Sequence, residues 1–275
     1  SMLMDFYEFT MSNGYFTNGD KETIVSFDMF FRRNPDKVGF AIAAGVEQLG
    51  EYIKNLKFEK EDINYLRANG LFSEEFLKYL SEFKFTGDIY AIPEGTPVFP
   101  NEPLVTVKSK VIDAQLIETM LLLLVNHQTL IATKANRIAR AADGRKVFDL
   151  GARRAQGADA AILGARAAII GGVDATATTL SGEMFGTEVV GTMAHSWIQF
   201  YGDEYKAFKV YAETYPDNCT LLVDTYSVLG SGIPNAIRVA KEVLEPMGKR
   251  LKGVRLDSGD LAYLSKKVRK MQIGR

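Results

Sequence analysis

The 275-residue chain contains two histidines, His127 and His195, and histidine is the side chain whose ordinary pKa lies nearest neutrality. His195 stands in Gly191-Thr-Met-Ala-His195-Ser-Trp197, at the expected end of a strand, where catalytic use is favoured over a structural role. His127 lies inside an apolar helical run between Asn126 and Gln128, which favours a packed, hydrogen-bonded role. Arg153 and Arg154 follow Phe148-Asp-Leu150-Gly-Ala152, and a guanidinium fork at a strand end suits a carboxylate or phosphate. Adjacent arginines point apart, so one is expected to bind ligand while the other pairs with an acid such as Asp149; two solvated surface charges are the alternative. In Arg255-Leu-Asp257-Ser-Gly259-Asp260 an extended backbone puts Arg255 and Asp257 on one side. A cation beside a carboxylate suits a phosphorylated sugar, the arginine taking phosphate and the acid taking vicinal hydroxyls; a simple ion pair is the alternative. Asp224 ends Leu221-Leu-Val223, placed to orient a histidine, to cap a turn, or to help hold a magnesium ion that also binds substrate phosphates. Gly230-Ser-Gly232 matches neither a P-loop nor a dinucleotide fingerprint.

The elements that must carry these groups follow from the periodicity. Helices are expected over 5–15, 42–56, 60–69 and 74–83, with a strand over 23–31. Between Gly87 and Val111 apolar and polar residues alternate, punctuated by Pro93, Gly95, Pro97, Pro100 and Pro103, as in short antiparallel strands with tight turns. Residues 112–142 lack breakers and predict a long helix or a bent pair joining two domains. Beyond it, strands over 146–150, 172–176, 188–194, 219–224 and 253–256 alternate with helices over 158–170, 204–215, 234–247 and 263–271, the pattern of five parallel βα units. The candidate residues follow these strands, where ligands gather in parallel α/β proteins. The expected domains are 1–111, α+β, and 112–275, the connecting helix with an α/β barrel. A closed barrel needs about eight strands, so the barrel is expected to be incomplete at the C-terminus.

Composition narrows the function classes. Thirty-three basic residues stand against 34 acidic ones, which gives no overall charge to attract nucleic acid. A single cysteine, Cys219, excludes an internal disulfide framework and a Cys-rich zinc site. The longest purely apolar run, Met120 to Val125, falls short of the ~20 residues of a spanning helix. A cytoplasmic, small-molecule protein with no membrane association is the expectation.

Four segments in order, Asp5-Phe-Tyr7-Glu-Phe-Thr-Met11, Gly151-Ala-Arg-Arg-Ala-Gln-Gly157, Gly191-Thr-Met-Ala-His-Ser196 and Val254-Arg-Leu-Asp-Ser-Gly259, strongly resemble the nicotinate phosphoribosyltransferases, type II phosphoribosyltransferases. The resemblance covers essentially the whole chain. It implies an N-terminal sandwich-like α+β domain packed on an irregular parallel α/β barrel, and a homodimer with shared active sites. It implies transfer of phosphoribosyl from 5-phosphoribosyl 1-pyrophosphate to nicotinate, giving nicotinate mononucleotide and pyrophosphate in NAD biosynthesis. Magnesium and ATP would take part, ATP hydrolysis being coupled through a phosphohistidine. By the same resemblance His195 is that histidine and Asp224 supports it. Tyr7 stacks on the pyridine ring from the partner subunit, Arg153 meets the nicotinate carboxylate, and Leu150 and Thr176 complete the nicotinate site. Arg255, Asp257, Ser258 and Gly259 engage phosphate and ribose. Leu150 stands where the family usually has an aromatic ring, which removes one stacking face. Rival readings are a nicotinamide phosphoribosyltransferase, which would place a carboxylate near Ala177 or use Asp174, and a non-catalytic phosphosugar-binding protein.

Overall fold

The computed structural model describes residues 2–273, and compactness divides the chain after Val190. In the first unit, helix α1 (Phe6–Thr17) precedes strand β1 (Ile24–Met29), strand β2 (Ala41–Ile42) and helices α2 (Val46–Asn55), α3 (Lys60–Ala68) and α4 (Glu74–Ser81). Residue 42, expected to open a helix, instead ends β2. The helix starts at Val46 because Gly45 adopts a left-handed conformation with φ of 102° and brings its backbone against Leu124, where a Cβ would overlap the carbonyl, a geometry open to glycine.

The alternating segment forms strands β3 (Asp88–Ala91), β4 (Pro97–Val98) and β5 (Val105–Lys110). All pairings are antiparallel: β5 lies between β1 and β3, and β4 pairs with β2. The register puts Val105, Val107 and Ser109 of β5 on the buried face, where the two valines meet Phe9, Leu49, Phe76, Leu80 and Ile112 in one core. Burying such side chains contributes about 1.5–3 kcal/mol each.

The expected long helix is a bent pair, α5 (Val111–Gln115) and α6 (Glu118–Ala141), broken at Leu116 and Ile117. By length and composition residues 111–141 could cross a membrane, yet half of the most apolar window is buried, and α6 packs against β2, α2 and helix α7 (Ala158–Ile170). This packing explains why compactness does not divide the chain at 111/112: α6 shares a core with the elements before it. Thr129 and Thr133 of α6 hydrogen-bond the amides of Ala44 and Ile42 at 3.1 and 2.9 Å. Arg166 of α7 joins the same unit from the other side. Its guanidinium grips both oxygens of Glu94 at 3.1 and 2.6 Å, bonds Gln128 at 3.1 Å and also reaches Glu47. Glu94 in turn accepts the Gly45 and Val46 amides at the start of α2.

Two-residue strands β6 (Phe148–Asp149) and β7 (Ala175–Thr176) run parallel, flanking α7 in sequence, and helix α8 (Thr179–Phe185) follows. The strand expected over 188–194 is reduced to one parallel bridge between Val189 and Thr176. Only the β7 edge offers it partners: the Thr176 amide donates to Glu188 and the Val190 amide to Thr176, at 3.0 and 2.9 Å.

The second unit begins after that bridge. Helices α9 (His195–Tyr201) and α10 (Glu204–Thr214) precede strand β8 (Thr220–Leu222), helix α11 (Ile233–Val239), strand β9 (Gly253–Arg255) and helix α12 (Leu261–Ile273). β8 and β9 are parallel, Leu222 opposite Arg255, over a core of Ile198, Phe208, Leu221, Val223, Ile233 and Leu244. The helix expected over 234–247 is an α-helical middle between two widened turns at 228–232 and 240–244. Gly232 packs directly on the Val223 carbonyl, where a Cβ would overlap it. The fold is thus an N-terminal α+β part followed by an α/β region with parallel strand pairs.

Candidate active site

In the first unit, the chain leaves β6 through a turn whose shape is set by Asp149. One carboxylate oxygen accepts the Gly151 amide at 2.9 Å and the other accepts the Thr176 hydroxyl at 2.9 Å. The 3-10 turn Ala152–Arg154 follows and presents both arginines exposed. The expected pairing of an arginine with Asp149 does not form among the described residues. Neither guanidinium makes an ion pair or hydrogen bond among the described residues.

Thr176, expected in the nicotinate site, is fully buried. Its hydroxyl donates to Asp149 and accepts the Thr178 amide at 3.0 Å, so it shapes the strand pair and has no surface to offer a ligand. Leu150 is half-buried between Asp149 and the turn. Asp174 is tied to the start of β6, accepting the Val147 amide at 2.8 Å. Tyr7 is 42% exposed on α1 and its hydroxyl donates to Glu118 at 2.7 Å. That hydrogen bond, with burial second, raises the Tyr7 pKa and keeps the phenol neutral. Glu118 is fixed by Gln115 at 2.7 Å, and neighbouring Glu8 accepts the Thr119 amide and hydroxyl at 3.0 and 2.5 Å. The ring of Tyr7 is therefore held by a set of side chains on α5 and α6 that the sequence pattern did not single out.

In the second unit, the chemistry is gathered around Asp224, two residues beyond β8. Its side chain is 1% exposed. One oxygen faces His195 Nε2 at 3.2 Å, and the other accepts the Asp257 amide at 3.0 Å and the Ser258 hydroxyl at 2.5 Å. His195 is the first residue of α9 rather than the last of a strand, and its side chain is 38% exposed. A carboxylate accepts hydrogen bonds, so Nε2 is the nitrogen that donates here, and Nδ1 has no partner among the described residues.

Arg255, at the end of β9, donates to Asp257 at 2.7 Å and to the Thr192 hydroxyl at 3.2 Å. The ion pair of Arg255 with Asp257, the alternative to phosphate and ribose binding, is present in this structure. Thr192, three residues before the histidine, was not anticipated, although its place in Gly-Thr-Met-Ala-His is a signal that could have found it. Gly259 turns the chain with φ of 78°, so that Ser258 points back at Asp224. Thus the structure brings His195, Asp224, Arg255, Asp257 and Ser258 into one network, while Tyr7, Leu150, Arg153 and Thr176 belong to the first unit.

The residues do not fit a magnesium ion held by Asp224: its oxygens are occupied and it is closed to solvent. Among the described residues no cluster of three or more His, Cys, Asp or Glu side chains is placed to hold a metal. Cys219 is buried, and burial pushes its thiol pKa up to about 11, which leaves it unreactive.

Residues 2–126 match the family model described as the nicotinate phosphoribosyltransferase (NAPRTase) N-terminal domain. The chain is 50% identical over 273 residues to a nicotinate phosphoribosyltransferase of Bacillus subtilis, covering 98% of this chain and 55% of that protein. To one of Mycobacterium tuberculosis it is 42% identical over 271 residues, covering 98% and 57%. Among solved structures, human nicotinic acid phosphoribosyltransferase superposes with a TM-score of 0.90 at 30% identity, over 99% of this chain and 64% of that one. The chain spans a little over half the length of the curated relatives it matches. Residues 2–126 thus match the nicotinate phosphoribosyltransferase N-terminal domain, and the chain is similar to nicotinate phosphoribosyltransferases from one end to the other.

Proposed function

We propose that the chain takes part in transfer of phosphoribosyl from 5-phosphoribosyl 1-pyrophosphate to nicotinate, giving nicotinate mononucleotide and pyrophosphate in the cytoplasm. The observation that carries this reading is the His195–Asp224–Ser258 network beside Arg255, in a chain whose relatives bear the name of that activity. Glycosyl transfer at an anomeric carbon develops positive charge there, so positioning and phosphate clamping matter more than strong base catalysis. Nicotinate is already an anion with a free ring nitrogen and needs no general base.

In this reading Arg255 receives phosphate, Asp257 accepts from ribose hydroxyls and Gly259 lets the loop close on them. Ser258 is drawn to Asp224, so its first role is to hold that carboxylate. The arginine pair after β6 receives the nicotinate carboxylate, which the family resemblance assigns to Arg153, with Leu150 and Tyr7 offering faces to the ring. Tyr7 would serve the partner subunit's site in a homodimer. The division into an α+β domain over 1–111 and a barrel domain over 112–275 belongs to the same reading.

ATP enters as co-substrate. The Nδ1 lone pair of His195 attacks the γ-phosphorus, the bond to the β,γ-bridging oxygen breaks, and ADP leaves with the electron pair. Asp224 holds the opposite ring nitrogen and stabilises the imidazole while the bond forms. The phosphoryl group then places negative charge beside Arg255, altering the pyrophosphate site electrostatically. Magnesium belongs here as the counter-ion of the phosphate-bearing substrates. Nicotinate is favoured over nicotinamide because Ala177 offers no carboxylate and Asp174 is committed to the Val147 amide.

Incubating the full chain with 5-phosphoribosyl 1-pyrophosphate and equal nicotinate and nicotinamide tests this reading. Pyrophosphate release should accompany nicotinate mononucleotide alone. Binding without pyrophosphate release would favour a phosphosugar-binding protein, and nicotinamide mononucleotide as main product would overturn the substrate.

A further inference from the structure

Within the second unit one buried carboxylate has no part in the chemistry described so far. Glu204 opens α10 and is 5% exposed. One of its oxygens accepts the Ser231 hydroxyl and, at 3.1 Å, the Asn235 side-chain amide. The other oxygen is buried with no partner among the described residues. Asp203 already caps α10, accepting the Lys206 amide at 3.0 Å, so Glu204 is not needed as a cap. Taking a carboxylate out of water is expensive and a half-partnered one is poorly repaid, so an apolar residue of similar size would serve stability as well. What the acid adds is a directed link.

That link joins the elements that carry the reactive pair. Ser231 lies in the widened turn 228–232, where the Ser231 and Gly232 amides both return to the Ser227 carbonyl at 2.9 and 2.8 Å. Gly232 rests on the Val223 carbonyl, one residue before Asp224. On its other side α10 receives α9, because the Trp197 indole donates to the Ala207 carbonyl at 3.1 Å. From His195 the contacts therefore run through Trp197, α10, Glu204 and the 228–232 turn to Asp224, and the 3.2 Å contact of His195 with Asp224 closes the ring. The Asp257 amide and the Ser258 hydroxyl fix Asp224 from the β9 side. Glu204 ties the α9–α10 pair, with His195 on it, to the loop that follows the same acid.

We propose that Glu204 is a positioning residue for His195: through Ser231 it holds α9 where the imidazole meets Asp224 by Nε2. The proposal builds on the reading that His195 reacts at Nδ1, yet the geometry it concerns can be measured without turnover. Glu204 acts only through the helices and the turn.

The test is nitrogen NMR of the full chain labelled at its histidines, under alkaline conditions, with His195 assigned by its loss in His195→Ala. The unaltered chain should show His195 with one protonated and one bare ring nitrogen, the proton on Nε2. Glu204→Ala should draw the two signals together as the ring exchanges between tautomers. Ser231→Ala, a smaller change that cuts the same link, should do likewise and reads the link even where Glu204→Ala does not fold. Glu204→Gln keeps an oxygen for Ser231 and Asn235 and should keep the signals apart. Arg238→Ala is the control: it removes the cation that α11 sets over the Tyr205 ring of α10 at 4.0 Å, and should leave His195 unchanged. With magnesium and ATP, phosphohistidine formation in Ser231→Ala should fall by on the order of 10²-fold, the cost of a misplacement of about 1 Å. Unchanged His195 signals in folded Glu204→Ala or in Ser231→Ala, or an equal change in Arg238→Ala, would overturn the proposal. Merged signals in these variants, with no phosphohistidine even in the unaltered chain, would support the positioning role and overturn the phosphohistidine reading instead.

Discussion

In the first unit the β6–β7 pair ends at Asp149, and in the second the β8–β9 pair leads to Asp224. Each acid crosses to the neighbouring strand: Asp149 to Thr176, Asp224 to the Asp257 amide and Ser258. The basic groups beside them differ. Among the described residues Arg153 and Arg154 have no side-chain partner, whereas Arg255 is bound to Asp257 and Thr192 and His195 to Asp224. An unpartnered cation costs little in water and gains most when an anion arrives. A group that must react in one orientation is better held beforehand, since reorganisation would add to the barrier. Under the proposed function, the free arginines of the first unit would receive an anion, and the held histidine of the second would react.

Arg166 gives this contrast its largest measurable edge, because it is a first-unit arginine that is fully committed. Its side chain is 10% exposed and that of its partner Glu94 is 19% exposed. Arg166→Ala should cost about 3–5 kcal/mol of stability, the penalty for breaking a buried pair, read from urea unfolding. Burial alone would raise the Glu94 pKa, but Arg166 and the Gly45 amide outweigh it and hold it lowered. A lowered folded pKa contributes stability that is present above the unfolded value of about 4.3 and is lost as pH falls through the folded one. Acidification from neutrality should thus destabilise the native chain more than Arg166→Ala, and parallel pH profiles would remove Glu94 from the account.

The next effect concerns Asp224. Asp224→Ala strands the Asp257 amide and the Ser258 hydroxyl, at about 1–3 kcal/mol for each buried group left unpaired. Gly232→Ala drives a methyl group into the Val223 carbonyl and should cost about 1–3 kcal/mol by overpacking, displacing the residue next to Asp224. Smallest of all, Arg153→Gln and Arg154→Gln should each change stability by within about 0.5 kcal/mol. A loss above 1 kcal/mol in either would mean the arginines are structural and the comparison is wrong.

Much of this organisation was legible before any coordinates. Helix α7 begins at Ala158 and ends at Ile170, as its alanine-rich pattern predicts, and Arg255 meets Asp257 although β9 ends at Arg255 and does not continue through both. The misplacement of His195 has a physical origin: Val189 and Val190 carry strand propensity, but only one bridge to Thr176 is available, so the chain turns into α9. The role of Thr176 was hidden for a similar reason. A threonine at a strand end reads as ligand-facing or inward-facing equally well, and only the position of Asp149 across the pair decides it. Partners distant in sequence, such as Glu118 for Tyr7 and Ser258 for Asp224, leave no periodic trace.

The central claim is that His195, held at Nε2 by Asp224, accepts phosphate at Nδ1 and thereby couples ATP to transfer. Incubating the full chain with magnesium and ATP, then recording the phosphorus spectrum under alkaline conditions, tests it directly. The account predicts a single phosphohistidine on Nδ1 that disappears in His195→Ala together with ATP stimulation of pyrophosphate release. Phosphate on Nε2, or ATP stimulation surviving in His195→Ala, would contradict it.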